Sequence, residues 1–319
     1  MDLDALYKKC LQCPRQCGVD RAITTGFCRE PADLRIAFAG LHFGEEPLIT
    51  VFGGSGTIFF TGCTLRCAFC QNYQISQDGL GRVVDKAEFV DICLKLQAAG
   101  AENINLVTGS HHIPVIAEYL RAARDGGVTV PFCWNSSAYE SVEMLELLKG
   151  LVTIWLPDLK TLDGNLSKDL FAAPDYPASA TAAIRWMIGN NPLDIVQVSK
   201  NGETREKMMS GVIIRHLFMP GKFEQTADVL AWLKENADGR AIISLMNQYT
   251  PIPAKKGKIT QIEDRLVTPE EDADIQDLIE AYNFEYLFYQ ELSDDTSWLP
   301  DFTRAQPFSN KLATPVWHC

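Results

Sequence analysis

Cys63-Thr64-Leu65-Arg66-Cys67-Ala68-Phe69-Cys70 places three cysteines at a C-x3-C-x2-C spacing, directly after the apolar run 57–60 and Gly62. A cubane iron–sulfur cluster has four irons and normally takes four thiolates, so a set of three leaves one iron open to a further ligand. Offsets of four and three also trace one face of a helix, where cysteine is a common core residue. Gly62 and the β-rich run before it suggest instead a strand leaving into a loop, and Arg66, Gln71 and Asn72 suit a site better than a core. Clustered cysteines in a reducing compartment point to metal or catalysis.

The composition suits that compartment. Of 319 residues, 46% are hydrophobic and 22% charged, as in a soluble globular protein. No apolar run approaches the roughly 18 residues of a spanning helix, and the start lacks the basic and apolar regions of a signal peptide, so a cytoplasmic protein with no membrane partner is expected. Lys plus Arg total 29 and Asp plus Glu 41, a net charge of −12 that disfavours nucleic acid as a general partner. Seven of the ten cysteines precede residue 71, in two groups.

The first group is Cys10, Cys13, Cys17 and Cys28. Four thiolates saturate either a tetrahedral zinc ion or a second iron–sulfur cluster, and both would staple a segment too short for its own core. His42-Phe43-Gly44-Glu45-Glu46-Pro47 reads as a solvated turn, with metal or proton-transfer chemistry as the alternative. The glycines at 53, 54 and 56 form a flexible turn, with no lysine in the phosphate-loop position.

Beyond the cysteine loop, strands and helices alternate. Residues 104–107, 130–134, 151–156 and 241–246 read as strands, with helical periodicity over 86–99, 113–123, 139–148, 178–188 and 225–236. Asn201-Gly202 marks a hairpin between 195–198 and 211–217. The pattern predicts an α/β fold of about six parallel strands, a partial (β/α)6 TIM-like barrel over 51–250. A cysteine-rich segment (1–50) precedes it, and an extension (251–319) packs back on it, with a helix capped by Thr268. Cys93 and Cys133 read as core thiols and Cys319 as a frayed one. Polar residues collect at the strand ends, where parallel barrels place their chemistry: Thr108 to His112, Asn135 to Ser137, Asp158 to Lys160 and Asn247 to Tyr249.

The C-x3-C-x2-C loop, with an aromatic before its last cysteine, resembles the signature of the radical S-adenosylmethionine (SAM) superfamily. Residues 155–160 and 212–221 are similar to the branch related to pyruvate formate-lyase activating enzyme. The resemblance implies that Cys63, Cys67 and Cys70 hold a [4Fe–4S] cluster whose open iron chelates SAM. By position it places Phe69 beside the adenine, Asn72 by the methionyl part, Asn135 at the ribose, and Asp158 and Lys160 toward the cofactor. It also places Arg215 at the SAM carboxylate with His216 in reserve, and Gln248 after the last strand. The family's Gly-Gly-Glu after the second strand is here Thr108-Gly109-Ser110-His111, so the ammonium would fall to the Thr108 and Ser110 hydroxyls or to backbone carbonyls.

The activity so implied is that of a radical SAM oxidoreductase, which cleaves SAM to a 5′-deoxyadenosyl radical that abstracts hydrogen from a substrate. By analogy the substrate is a glycyl radical enzyme, and the electron donor a reduced flavodoxin or ferredoxin-type protein. Two rivals stand beside this: a radical enzyme acting on a small molecule or peptide, and a non-enzymatic electron-transfer or cluster-carrier protein.

Overall fold

Strands buried on both faces dominate the chain, and this follows from their near-continuous apolar sequence. The computed structural model describes residues 3–253, 257–296, 298–309 and 311–319. Its strands are β1 (Arg35–His42), β2 (Ser55–Phe60), β3 (Arg82–Val83), β4 (Ile104–Val107), β5 (Phe132–Ser136), β6 (Ile154–Pro157), β7 (Asp194–Lys200), β8 (Glu203–Leu217), β9 (Ile242–Met246), β10 (Leu287–Gln290) and β11 (Ala313–His318). The helices are α1 (Leu3–Lys8), α2 (Pro47–Thr50), α3 (Tyr73–Ser76), α4 (Lys86–Ala98), α5 (Ile113–Asp125), α6 (Val142–Leu145), α7 (Gly164–Phe171), α8 (Tyr176–Asn190), α9 (Phe223–Asn236) and α10 (Pro269–Tyr282).

One sheet runs β10-β9-β8-β6-β5-β4-β2-β1-β11, with β3 paired to β1 and β7 to β8. From β2 to β10 the neighbours are parallel. β1 is antiparallel to β2 and β11 antiparallel to β1, so the sheet is open, not a closed barrel. The six parallel strands predicted from sequence are present, and β10 adds a seventh from the C-terminal segment. The predicted hairpin turns at Asn201-Gly202, both in the left-handed region, and the charged stretch 203–207 belongs to β8.

Alternation along the strands divides the core in two. Trp134, Trp155, Ile214 and Ile243 face the covering helices in the main core. Cys133, Ile154, Leu156, Ile213 and Ile242 face the other way and pack with Leu48 and Ile49 of α2. The segment after β1 therefore turns into the concave side of the sheet and plugs it. The reading of 42–47 as a solvated turn is corrected here: Glu45 is ion-paired to Arg215 at 3.4 Å and approached by His42 Nδ1 at 3.4 Å. The short segment looked loop-like because its apolar residues are few, yet its carboxylates are drawn to a buried cation.

Farther along the concave side, Phe302 and Phe308 of the C-terminal segment pack with Phe38, Phe59 and Val107. Gln74 of α3 fastens this segment, accepting from the Phe302 N–H at 2.8 Å and donating to Asp301 at 3.1 Å. The predicted Thr268 cap is present as a capping box with Glu271. Cys93 and Cys133 are fully buried, as read from sequence.

Candidate active site

The cysteine loop is irregular backbone, not a helix face. Gly62 (φ +71) and Arg66 (φ +54) take left-handed conformations that break any helical run. The loop is held at its base by Gly62 N–H to the Ile75 carbonyl (3.0 Å) and at its tip by Ala68 N–H to the Leu170 carbonyl (2.9 Å). Leu65 N–H points at Cys63 Sγ (3.3 Å), Ser76 Oγ lies 3.2 Å from Cys70 Sγ, and Gln77 donates to the Cys67 carbonyl (2.8 Å). Among the described residues no three donor side chains converge as they would round one ion.

The strand ends beside this loop carry a linked set of charges. Arg215 Nε donates to Asp158 Oδ1 at 2.9 Å, Lys160 Nζ to Asp158 Oδ2 at 2.7 Å, and Arg215 Nη2 to Asn135 Oδ1 at 2.5 Å. Tyr176, at the start of α8, clamps the strand end by donating to the Asp158 carbonyl (2.8 Å) while accepting from the Lys160 N–H (2.9 Å). Burial pushes the Asp158 carboxyl up, but Arg215 and Lys160 outweigh it and hold the group below its usual value. Burial pulls Lys160 down, and Asp158 and then Cys67 more than restore its charge. Lys160 thus lies within electrostatic reach of the cysteine loop. Arg215 is shared with Glu45 as well, so two cations meet two carboxylates in a compact, charge-balanced array.

The sequence-predicted residues separate in the structure. Asn135, Asp158, Lys160 and Arg215 come together. Each of the three Arg215 guanidinium nitrogens is already engaged, by Asp158, Asn135 and Glu45, which suits it to holding Asp158 rather than meeting a ligand directly. His216 points away, between the Leu159 carbonyl (2.7 Å) and Thr226 Oγ1 (2.9 Å) of α9. Gln248 donates to the Glu291 carbonyl (2.9 Å), toward the C-terminal segment. Phe69 packs edge-on to Phe171 at 6.0 Å and tilts against Tyr249 at 6.2 Å. Asn72 sits at the start of α3 without a side-chain cap bond, and Thr108 ends β4 with φ +63.

Ser110 leads to a residue that sequence reasoning missed. Its hydroxyl donates to Glu140 Oε1 at 2.5 Å, and Trp134 Nε1 approaches the same oxygen at 3.4 Å. Glu140 is 2% exposed and its Oε2 has no partner among the described residues. Burial raises its pKa, while Ser110 and its neighbours oppose the rise. A carboxylate thus reaches Ser110 in space from the loop after β5. Glu140 stands in no motif, and no spacing in the sequence marks it.

The sequence profile of the Radical SAM superfamily matches residues 57–233. The chain belongs to the radical SAM superfamily. Among curated proteins, this radical SAM chain is 29% identical over 291 residues to Uncharacterized protein MJ0674 of Methanocaldococcus jannaschii, covering 89% of this chain and 78% of that one. Its fold is similar to that of Streptococcus suis SuiB, crystallised with the precursor peptide SuiA, at a TM-score of 0.51 and 14% identity over 73% of this chain. The chain spans about half of SuiB, 47% of its length. A domain of pyruvate-formate lyase-activating enzyme from Bacteroides vulgatus matches at a TM-score of 0.38 and 12% identity, over 56% of this chain and 92% of that domain.

Membership in the radical SAM superfamily implies a [4Fe–4S] cluster and SAM. The residues present fit both. Three cysteines stand on an irregular loop with an N–H directed at Cys63 sulfur, an array of buried charges lies within electrostatic reach of Cys67, and a buried Glu140 carboxylate oxygen lacks a donor among the described residues. Among the described residues no helix is long and apolar enough to cross a membrane.

Proposed function

We propose that this radical SAM enzyme breaks a C–H bond in a peptide or protein substrate, with Cys63, Cys67 and Cys70 as the cluster ligands. When bound, the cluster and SAM supply a 5′-deoxyadenosyl radical by one-electron cleavage of the sulfonium. The observation that carries this reading is the Lys160–Asp158–Arg215 array standing within electrostatic reach of Cys67. Lys160 receives the SAM carboxylate, and Arg215 and Tyr176 fix the geometry of Asp158 and Lys160 around it. Glu140, with its free oxygen, accepts from the SAM ammonium, backed by Ser110. Phe69 and Asn72 line the nucleoside and methionyl sides.

Support for an amide-bearing substrate comes from Asn105 on the concave face. It is fully buried on β4, in register with Cys133, and both its amide nitrogen and oxygen lack partners among the described residues. A peptide group offers the acceptor and donor that would satisfy both. A glycyl radical enzyme is the narrower form of this reading, supported by the likeness of the cysteine loop to the activase branch. A reduced flavodoxin or ferredoxin-type protein is the electron donor, by analogy with that branch.

Anaerobically reconstituted protein, reduced with dithionite and given SAM, should release 5′-deoxyadenosine and methionine, and alanine at Cys63, Cys67 or Cys70 should stop this. A wild-type protein that binds iron yet makes no 5′-deoxyadenosine would sink the reading in favour of a carrier. Deuterium appearing in 5′-deoxyadenosine from a labelled polypeptide, and not from small metabolites, would identify the substrate class.

A further inference from the structure

The four-cysteine leader lies directly against the loop that carries Cys63. A Cβ at Gly62 would come within 2.8 Å of the Cys28 carbonyl, so the two cysteine-bearing segments meet backbone to backbone. The Arg15 side chain crosses the same boundary and donates to the Thr64 carbonyl at 2.9 Å.

The leader is built as a ligand loop. Cys10 N–H to the Val19 carbonyl and Gly18 N–H to the Cys10 carbonyl, both 2.9 Å, close residues 10–19 into a ring turned by Gln16 (φ +42) and Gly18 (φ +68). Phe27 N–H points at Cys17 Sγ at 3.4 Å, as Leu65 N–H does at Cys63.

Charge is the second observation. Arg21 is 1% exposed and donates to the carbonyls of Glu30 (3.2 Å), His111 (2.5 Å) and Pro31 (2.6 Å) and to His112 Nε2 (3.0 Å). Arg15 donates to the carbonyls of Thr64, Phe171 and Ala172 and stacks on Phe27 with its Cζ 3.7 Å from the ring centroid. Among the described residues neither guanidinium is ion-paired to a carboxylate. The nearby Glu30 carboxylate is committed to Arg35 at 3.2 Å. A buried cation without a counter-ion is costly, and carbonyl dipoles solvate it without neutralising it. Residues 1–35 carry six Lys and Arg against five Asp and Glu, 6 − 5 = +1, in a chain of net charge −12. Metal-bound thiolates at Cys10, Cys13, Cys17 and Cys28 supply the missing negative charge.

Zinc and a cluster differ in how far apart they hold their sulfurs. Zn–S bonds of about 2.3 Å bring tetrahedral sulfurs to about 3.8 Å from one another. Among the described residues no three donor side chains of the leader close round a single ion, and the same holds for Cys63, Cys67 and Cys70. Beside Cys10, Cys13 and Cys28, which are as buried as Cys63 and Cys67, two apolar side chains stand in solvent: Leu11 is 48% and Ile23 85% exposed.

We infer that Cys10, Cys13, Cys17 and Cys28 hold a second iron–sulfur cluster, through which electrons enter the cluster at Cys63, Cys67 and Cys70. This rests on the reading of those three cysteines given above. A reduced flavodoxin or ferredoxin-type donor loses one electron to the leader cluster. The leader cluster passes that electron to the inner cluster and returns to its oxidised state, so the net change is one electron from donor to inner cluster.

The test uses the full chain reconstituted anaerobically with iron and sulfide. The expected content is about eight irons per chain with no zinc, and two reduced spin-resonance signals of which SAM perturbs one. Cys10→Ser with Cys13→Ser should remove about four irons, keep the SAM-sensitive signal, and lose fast reduction of the inner cluster by the protein donor while dithionite still reduces it. About four irons plus one zinc in the wild type, or a double variant reduced by the protein donor as fast as wild type, overturns the proposal. Absence of any SAM-sensitive signal in the wild type refutes instead the reading of the inner three cysteines. The wild-type metal count stands even where the double variant fails to fold.

Discussion

Arg215 and Asp158 meet across the neighbouring strands β8 and β6, with Nε and Oδ1 2.9 Å apart, and Lys160 takes the other oxygen of the same carboxylate at 2.7 Å. One carboxylate therefore bridges two buried cations, and Glu45 pairs with Arg215 as well at 3.4 Å. Asp158→Asn leaves Lys160 without its counter-charge and Arg215 with Glu45 alone, and should cost about 3 kcal/mol of stability. The check is a denaturant midpoint measured beside Asn135→Ala, which removes only a neutral acceptor and should cost far less.

Glu140 gives a sharper test of the cofactor pose. Glu140→Gln keeps the Ser110 contact but removes the negative charge, and SAM affinity should fall by about tenfold to a hundredfold. Calorimetry with an analogue lacking the amino group should show no difference between the two proteins. Equal losses for SAM and the analogue would make Glu140 a purely structural acid.

His216 predicts a pH dependence remote from the cysteines. Burial lowers its pKa from 6.5 to about 4. Between those values the unfolded chain binds a proton that the folded chain refuses, so acid favours unfolding. The contribution is whole above pH 6.5, is lost as pH falls, and levels off below about 4, for roughly 3 kcal/mol in total. His216→Gln should flatten stability across that window, and an unchanged slope would contradict the assignment.

Gly62→Ala should be among the most damaging small substitutions. Its Cβ would lie 2.2 Å from Glu30 Cγ and 2.8 Å from the Cys28 carbonyl, at a φ of +71 that already disfavours alanine. Iron content after reconstitution should drop together with thermal stability.

Thr268→Ala removes the side-chain half of the capping box at the start of α10 and should cost about 1 kcal/mol. SAM binding should not change, because the Thr268 hydroxyl accepts from the Glu271 N–H and touches no residue of the charge array.

Much of this was legible before any coordinates. The three-cysteine loop, the strands that end in Asn135 and Asp158, the Asn201-Gly202 hairpin and the Thr268 cap each carry a local signal, because period, turn chemistry and capping act over a few residues. Arg215 facing inward and His216 outward follows from the two-residue repeat of a strand, although the sequence alone left the choice open. What stayed hidden depends on distant partners. Glu140 has meaning only beside Ser110, thirty positions earlier in the chain. Glu45 looked solvated until Arg215, from another strand, made it an ion-pair partner. β10 was too short and too ordinary to be told from the apolar end of the C-terminal segment.

The outer edge of β1 is sealed by β11, Ala313–His318, which lies at the opposite end of the sequence. During synthesis β1 leaves the ribosome about 270 residues before its partner. Throughout that interval the nascent chain shows an unpaired ladder of backbone groups, open to edge-to-edge pairing with other chains. Only the arrival of β11 closes it.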